Sequence, residues 1–278
     1  VRRLVGSEMC IRDRYSFVYA YVGERIDGIL QFTDKESSEM ELHNDALLEP
    51  NPVMSEGKSL LGKFTVDVNE KLDMTLTLDN QEWSSDIIVN TDIGSTFYPG
   101  LSLLSTTSSS EGADEGSRDR VSLKLNYAAQ NNLFDSAILN IFSQSTDQQQ
   151  ITNKVVADMV FGQFGPMGPP SPGLLFRDFQ FNQSVSGMAL ELRKSFDQFN
   201  GRDVVYGFDT ETLETERFRN STLTSLITGI PNSNVYGTIY PSKTLPNTDT
   251  TRTGIYYSDR INFDEFNILS YGIRYDSY

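Results

Sequence analysis

The amino-acid sequence predicts an all-β protein, an antiparallel transmembrane β-barrel of which about eleven strands are present. Two observations predict this fold. Short segments in which apolar and polar residues alternate recur along the chain, and the connections between them are alternately short and long. In a membrane barrel every second side chain contacts lipid, short turns face the periplasm and long loops face the exterior. The two patterns together favour a partial barrel.

Charge and composition exclude several classes of protein. The 278 residues carry a formal net charge of −15, and no basic cluster is present that could neutralise nucleic-acid phosphates. The sequence contains no run of about eighteen apolar residues, so it predicts no transmembrane helix. A membrane-spanning β-strand needs only about ten residues, and a membrane protein therefore stays possible. The sequence has no Gly-x-Ser-x-Gly elbow, no Walker loop and a single histidine, so we predict that the protein is not an enzyme.

Residues 1–14 (VRRLVGSEMCIRDR) differ from the rest because apolar and polar residues do not alternate in them. They resemble a translated sequencing adapter, and we predict that they are a non-native segment. The only cysteine, Cys10, lies there, which leaves no disulfide framework for the remainder. We therefore predict one domain, a partial barrel over residues 15–278.

The most regular segment is residues 72–79, in which Leu72, Met74, Leu76 and Leu78 alternate with polar residues. Successive side chains of a strand point to opposite faces, so this segment has one apolar and one polar face. The same kind of alternation predicts strands at residues 17–22, 28–33, 58–68, 121–127, 134–144, 184–196, 204–211, 255–261 and 269–276.

The connections between the predicted strands have two lengths. The short turns are residues 23–27, 69–71, 129–133, 197–203 and 262–265, and the long polar connections are residues 34–57, 81–118, 145–183 and 212–250. Because the two kinds alternate, the short turns share one end of the sheet, which we assign to the periplasm. We expect long loops at the extracellular end, including a flexible, solvated Ser- and Glu-rich patch at residues 105–117.

Five segments carry a resemblance to a known family: residues 59–64 (SLLGKF), 120–127 (RVSLKLNY), 205–211 (VYGFDTE), 255–261 (IYYSDRI) and 271–278 (YGIRYDSY). They resemble barrel strands of TonB-dependent outer-membrane receptors, and within that family the haem, haemoglobin and transferrin receptor branch. The resemblance implies the front part of a barrel of about 22 strands, with the plug and the TonB-box absent from the chain.

The same resemblance implies a receptor in the outer membrane of a Gram-negative bacterium that imports an iron-bearing ligand, either haem or a ferric siderophore. The implied partners are the TonB complex, acting through the missing plug, the surrounding lipid and lipopolysaccharide, and the ligand or its carrier protein. Haem or a siderophore would be transported cargo, so no resident cofactor or metal is expected. Asp203 stands where relatives often carry a histidine.

Two parts of the long connections are candidate ligand contacts. Residues 161–176 are too apolar for a free loop, and we expect them either to contact ligand or to fold over the barrel mouth. The candidate contacts in this tract are Phe161, Phe164, Met167 and Phe176. His43 is expected to be an exposed loop residue, with a haem or metal ligand as the alternative.

The predicted strands also assign residues to two structural roles. Charged residues on the polar faces are expected to face the lumen and to pair across neighbouring strands. These residues are Lys63, Lys124, Glu191, Arg193, Asp209, Arg260 and Arg274. Aromatic residues near strand ends are expected to form the girdles found at membrane interfaces. They are Tyr19, Tyr21, Trp83, Tyr257, Tyr271 and Tyr275.

Two other functions stay open on the sequence alone. A passive porin-like channel would share the strands, although it would usually have shorter loops and a charged constriction. A secreted β-rich binding or adhesive protein would instead pack the apolar faces of its strands against a second sheet.

Overall fold

The computed structural model describes residues 9–21, 24–41, 51–197, 201–243, 246–264 and 266–278. In chain order the strands are β1 (Met9–Tyr21), β2 (Glu24–Glu41), β3 (Asn51–Asn69), β4 (Leu72–Ile88), β5 (Gly94–Tyr98), β6 (Leu103–Ala128), β7 (Ser136–Gly162), β8 (Gly165–Pro166), β9 (Ser171–Phe196), β10 (Arg202–Ser225), β11 (Pro231–Asn232), β12 (Asn234–Val235), β13 (Thr238–Ile239), β14 (Thr248–Asn262) and β15 (Ile268–Ser277). Two single-turn 3-10 helices, Asn90–Asp92 and Pro99–Leu101, flank β5. No helix in the described residues is long and apolar enough to cross a membrane.

Ten long strands form one antiparallel sheet, in the order β1-β2-β3-β4-β6-β7-β9-β10-β14-β15. Each long strand between β1 and β15 therefore pairs with the long strand that precedes it and the one that follows it. Among the described residues β1 and β15 do not pair with each other, so the sheet is open. The predicted all-β, antiparallel and partial barrel architecture is confirmed, with ten long strands in place of about eleven.

The short connections between long strands lie at one end of the sheet, and the predicted turns at residues 69–71 and 129–133 match β3–β4 and β6–β7. The predicted turn at residues 23–27 is shorter than expected, because β2 already begins at Glu24, and β10 begins at Arg202 within the predicted turn 197–203. At the β3–β4 turn the side-chain oxygen of Asn69 accepts a hydrogen bond from the backbone N–H of Lys71 (2.9 Å). At the β14–β15 turn the carboxylate of Asp264 accepts a hydrogen bond from the backbone N–H of Asn267 (2.8 Å). Asn and Asp side chains favour tight turns because they bond the backbone two or three residues further on.

The long connections differ from the prediction, because most of their residues belong to strands. β6, β7, β9 and β10 contain 26, 27, 26 and 24 residues. About ten residues cross the bilayer, so about fifteen per strand extend roughly 50 Å further along the strand at about 3.3 Å per residue. Patch 105–117, expected to be a flexible loop, lies within β6. Alternation could not reveal these extensions because both of their faces lie in water.

The outer face of the sheet carries a continuous apolar band, which we call the lipid-facing band. Residues directly opposite each other on neighbouring strands share a face. One such row across the sheet consists of Phe64, Leu76, Leu123, Ile141 and Met188. The next row, nearer the short turns, consists of Val66, Met74, Leu125, Leu139, Leu190, Phe208, Ile255 and Tyr275.

The band is open to its surroundings and has a polar boundary. Ile141 is 44% exposed and Ile255 is 58% exposed, so no layer of described protein covers these apolar side chains. Further from the short turns, one row of the same face is polar: Lys58, Glu82, Ser117, Asp147 and Asn182. A wide apolar stripe that ends at charged residues fits the edge of a bilayer.

The first strand begins earlier than the sequence predicts. β1 starts at Met9 and pairs with β2 from Met9 opposite Glu36 to Tyr21 opposite Glu24. Pairing of this kind requires only backbone donors and acceptors, so the lack of alternation in residues 9–14 does not prevent it. The non-native origin of residues 1–14 stays a prediction.

Candidate ligand-binding wall

A row of aromatic and cationic side chains crosses the inner face of the sheet. It lies further from the short turns than the lipid-facing band, and therefore on the extracellular side of the bilayer. In the strand register this row contains Trp83, Gly116, Gln148, Phe181 and Arg217. The indole of Trp83 lies across Gly116, where an added Cβ would come within 2.2 Å of an indole carbon. Trp83 is on the inner face and not in the lipid-facing girdle that we predicted, because it is an odd number of residues from the outward-facing Leu76 and Leu78 on β4. Gly116 leaves room for its indole there.

The next row brings a second cation and a second aromatic ring together. The guanidinium carbon of Arg219 lies 5.0 Å from the ring centre of Phe179, and that of Arg217 lies 5.2 Å from the ring centre of Phe181. Each arginine is directly opposite its phenylalanine on β10 and β9. Both distances are within the range of a cation–π contact. We call these four residues the Arg–Phe ladder.

Two extracellular segments, residues 89–102 and 226–243, lie against the long strands beyond the Arg–Phe ladder, and we call them the cap. Within the cap, β5 extends the sheet by pairing with β6, and β11 does so by pairing with β10. Val235 of the cap packs with Val156 of β7 and Leu175 of β9, which are 3% and 2% exposed. Leu223, Tyr236 and Tyr240 contact this cluster. Because the cluster is small and apolar, it fixes the cap to the strands by burial in water, independently of the bilayer.

Tyr236 is the main polar anchor of the cap. Its hydroxyl donates a hydrogen bond to Asp158 (3.3 Å) and lies 3.2 Å from the hydroxyl of Ser105. Its ring stacks on Tyr98, with ring centres 4.9 Å apart. Burial raises the pKa of Tyr236 to about 12, with a smaller contribution from the nearby Asp158 carboxylate, so its hydroxyl stays a donor. Tyr236 also adopts a left-handed backbone conformation (φ 49°), a strained state that these contacts offset.

A second anchor holds the first 3-10 helix of the cap. Asp92 forms an ion pair with Lys154 of β7 (2.5 Å) and accepts a hydrogen bond from Ser110 of β6 (2.8 Å). Burial acts to raise the pKa of Asp92, but the bonds from Lys154 and Ser110 outweigh it and lower that pKa. The amide of Asn51, which is fully buried, adds a hydrogen bond to Thr91 (3.3 Å).

Asp158 gives a testable pH dependence of the cap. Burial raises the pKa of Asp158, and it outweighs the hydrogen bonds from Ser105 and Tyr236, which lower that pKa. The carboxyl group of Asp158 therefore binds its proton more tightly when the cap is folded than when it is unfolded. The stability of the cap therefore falls as pH rises through the folded-state pKa. We expect Asp158→Asn to slow trypsin cleavage after Lys243 at neutral pH. Relative to the cleavage of a peptide substrate at the same pH, acidification should slow this cleavage in the unaltered protein but much less in the variant.

A matched control for this experiment is Asp147→Asn, on the outer face of the same strand and away from the cap. It should leave the cleavage rate after Lys243 unchanged. Faster cleavage in Asp158→Asn than in the unaltered protein would show that the carboxylate stabilises the cap instead.

The predicted lumen-facing residues share the inner face of the sheet, opposite the lipid-facing band. In the register they are Lys63, Lys124, Glu191, Arg193, Asp209, Arg260 and Arg274. Arg274 contacts Asp209 across two strands (2.9 Å), and Arg193 contacts Glu191 within its own strand (2.6 Å). The lumenal role of these residues stays a prediction.

Three predicted girdle residues, Tyr257, Tyr271 and Tyr275, lie on the outer face. The hydroxyls of Tyr257 and Tyr271 donate hydrogen bonds to Asp259 (3.1 Å and 2.8 Å), which is fully buried and also paired with Arg202. This polar cluster was not predicted, because its members lie on three different strands. In β1, the backbones of Tyr19 and Tyr21 pair with Ile26 and Glu24.

The predicted ligand-contacting tract is a tight hairpin tip between β7 and β9. Phe164 is 97% exposed and Met167 is 74% exposed, whereas Phe161 packs edge-on against Phe97 of the cap (6.3 Å). Phe176 lies further down β9, opposite Thr222. The structure thus does not bring the four predicted contacts together on one surface, because the tract forms two strand ends. His43 lies outside the described residues.

The described residues contain no group of three or more His, Cys, Asp or Glu side chains able to hold a metal ion. The Arg–Phe ladder was missed by the sequence reasoning, which assigned its residues to long loops. Its only signal in the sequence is spacing by two, in Phe179 and Phe181 and again in Arg217 and Arg219.

An open antiparallel sheet with a lipid-facing band, short turns at one end and long extensions at the other defines an outer-membrane β-barrel protein. The profile of the family described as TonB dependent receptor-like, beta-barrel matches residues 62–278. The chain belongs to this family, whose members are transport proteins of the outer membrane of Gram-negative bacteria that act with TonB. No curated protein matches the chain.

Proposed function

We propose that this chain is the front part of a larger receptor barrel that imports an iron-bearing ligand, haem or a ferric siderophore, in a TonB-dependent manner. The observation that carries the proposal is the inner wall beyond the level of the lipid-facing band. There Trp83, the Arg–Phe ladder and the cap form a surface that is separated from lipid and open toward the exterior. Large aromatic and guanidinium groups on a protected wall are suited to hold a ligand of moderate size.

The proposed cycle involves binding and release without covalent chemistry. Ligand would first contact the extracellular extensions and would then lie against the wall under the cap. Release toward the periplasm would follow when TonB pulls on the plug of the complete receptor. Such a pathway requires high affinity for the ligand at the extracellular side and a conformational change, coupled to TonB, that lowers this affinity. A passive channel has neither.

Uptake by the complete receptor tests this proposal. The receptor gene is expressed in a strain that lacks its other iron receptors, and uptake of radioactive iron is measured with haem and with several ferric siderophores. We expect saturable uptake of at least one ligand, and its loss when TonB is deleted. Uptake that is linear in ligand concentration and independent of TonB would contradict the proposal and would favour a porin-like channel.

A further inference from the structure

On the extracellular side of the lipid-facing band, the acidic and basic side chains of β10 lie on opposite faces of the sheet. Residues 214–219 read Glu-Thr-Glu-Arg-Phe-Arg. Alternation places Glu214 and Glu216 on the outer face and Arg217 and Arg219 on the inner face. Glu216 is occupied on the outer side by Lys243 (3.3 Å) and by the amide of Asn247 (3.2 Å). Neighbouring carboxylates in the sequence therefore do not neutralise the two arginines.

The two arginines of the Arg–Phe ladder keep their charge available. Both are exposed, and within the described part of the chain neither forms an ion pair. Arg118, on the same face, differs because it is paired with Asp79 (2.8 Å). In a chain with a net charge of −15, an unpaired cationic strip on one wall is a specific feature.

One row nearer the cap, Arg177 adds a third cation to the strip. It lies opposite Ser221 on β10, and its Nε is buried with no hydrogen-bond partner in the described residues. An unsatisfied buried donor costs free energy unless an acceptor reaches it. The strip therefore presents two exposed guanidinium groups. Beside them lies Arg177, whose buried Nε has no hydrogen-bond partner in the described residues and whose charge contributes to lowering the pKa of Asp92 in the cap.

The contact with the phenylalanine rings determines how the exposed guanidinium groups can act. The guanidinium carbons lie 5.2 and 5.0 Å from the ring centres, and a cation–π contact holds the positive charge without an oxygen acceptor, so the N–H groups at the edges of the two guanidinium groups keep their capacity for hydrogen bonds. Those edges match the paired oxygens of a carboxylate, and they also suit other oxyanions. Phe179 and Phe181 thus hold the arginines in place without using their donors.

We infer that the Arg–Phe ladder binds the oxyanion edge of an anionic iron complex, one that carries catecholate or carboxylate oxygens. The inference rests on the proposed function, since it names the charge class of the ligand that the receptor imports. A neutral iron complex would leave the donors of the strip unpaired and would gain little from this wall. The negative charge of the rest of the chain would further disfavour anions elsewhere on its surface.

The test compares ligand charge and ladder charge in the complete receptor. Affinity is measured by equilibrium binding for an anionic ferric tris-catecholate, for haem with its two propionates, and for a neutral ferric tris-hydroxamate. In Arg217→Gln/Arg219→Gln we expect affinity for the anionic ligand that the receptor takes to fall about a hundredfold, about tenfold for each charged hydrogen-bonding group. The anionic ligand whose affinity falls in the double variant, the ferric tris-catecholate or haem, shows which oxyanion the ladder binds.

Two further variants make the outcome specific. Lys58→Gln/Lys71→Gln removes the same charge from the outer face and a periplasmic turn, and its affinities should match those of the unaltered receptor. Arg217→Lys/Arg219→Lys keeps the charge but loses the planar fork, and it should retain part of the affinity. Equal amounts of each variant in the outer membrane would exclude a defect in assembly.

The inference and the proposed function can fail separately. TonB-dependent uptake of only the neutral hydroxamate, unchanged in Arg217→Gln/Arg219→Gln, would overturn the inference and leave the proposed function standing. Ladder-dependent binding of an anionic complex without TonB-dependent uptake would support the inference and overturn the proposed function.

Discussion

Leu139→Arg is expected to lower the free energy of unfolding of the membrane-inserted barrel by about 2–4 kcal/mol, the cost of an arginine at the bilayer midplane of a β-barrel. Leu139 lies in the lipid-facing band between Leu125 and Leu190. A guanidinium at this position would enter hydrocarbon without a partner. Urea unfolding of the complete receptor in lipid bilayers measures the change.

The neighbouring position provides the matched control. Ile138 lies on the inner face, between Asn126 and Glu191. Ile138→Arg introduces the same side chain beside a carboxylate and should change stability by less than about 1 kcal/mol. Equal destabilisation by the two substitutions would contradict the assignment of only one face of β7 to lipid.

Gly207→Val is expected to have the second large effect, a loss of assembled receptor from the outer membrane. A Cβ at Gly207 would lie 2.1 Å from the backbone oxygen of Leu190 and 2.8 Å from the hydroxyl of Tyr256. A backbone oxygen cannot move aside without breaking the β9–β10 ladder. Overpacking of this kind costs about 1–3 kcal/mol, and the branched side chain adds to it. The assembled fraction is measured in isolated outer membranes.

Gly57→Ala is the control for this prediction. The nearest atom to its added Cβ is the backbone oxygen of Glu82 at 3.8 Å, an ordinary contact. We expect normal assembly of Gly57→Ala and reduced assembly even of Gly207→Ala. Normal assembly of Gly207→Val would mean that β9 and β10 approach each other less closely than described.

The transmembrane part of the fold could be predicted from sequence because the bilayer constrains every second residue. Leu72, Met74, Leu76 and Leu78 alternate strictly, and the register places Leu76 and Leu78 beside Leu123 and Val121 of the next long strand. Short turns were predicted for a related reason, since Asn69 and Asp264 bond to nearby backbone groups. Both signals are local in the sequence.

The extracellular part could not be predicted because its signals are not local. Both faces of the strand extensions are in contact with water. Ser- and Gln-rich segments can therefore form these strands without an alternation of apolar and polar residues. The anchor of the cap joins Tyr236 to Ser105, which is 131 residues away in the chain. The Arg–Phe ladder pairs residues whose relation exists only once β9 and β10 are in register.

Spin labels along β7 distinguish side chains that contact lipid from side chains that contact water. In a cysteine-free background, single cysteines at residues 138–141 and at residues 148 and 149 carry spin labels in the complete receptor in bilayers. Collision with oxygen reports contact with lipid, and collision with a nickel chelate reports contact with water.

We expect high oxygen accessibility at residues 139 and 141 and high nickel accessibility at residues 138 and 140. At residues 148 and 149 both labels should be accessible to nickel, because there both faces of β7 lie beyond the bilayer. Labels at residues 139 and 141 that neither reagent reaches would mean that another protein layer covers the apolar band, and would contradict the account.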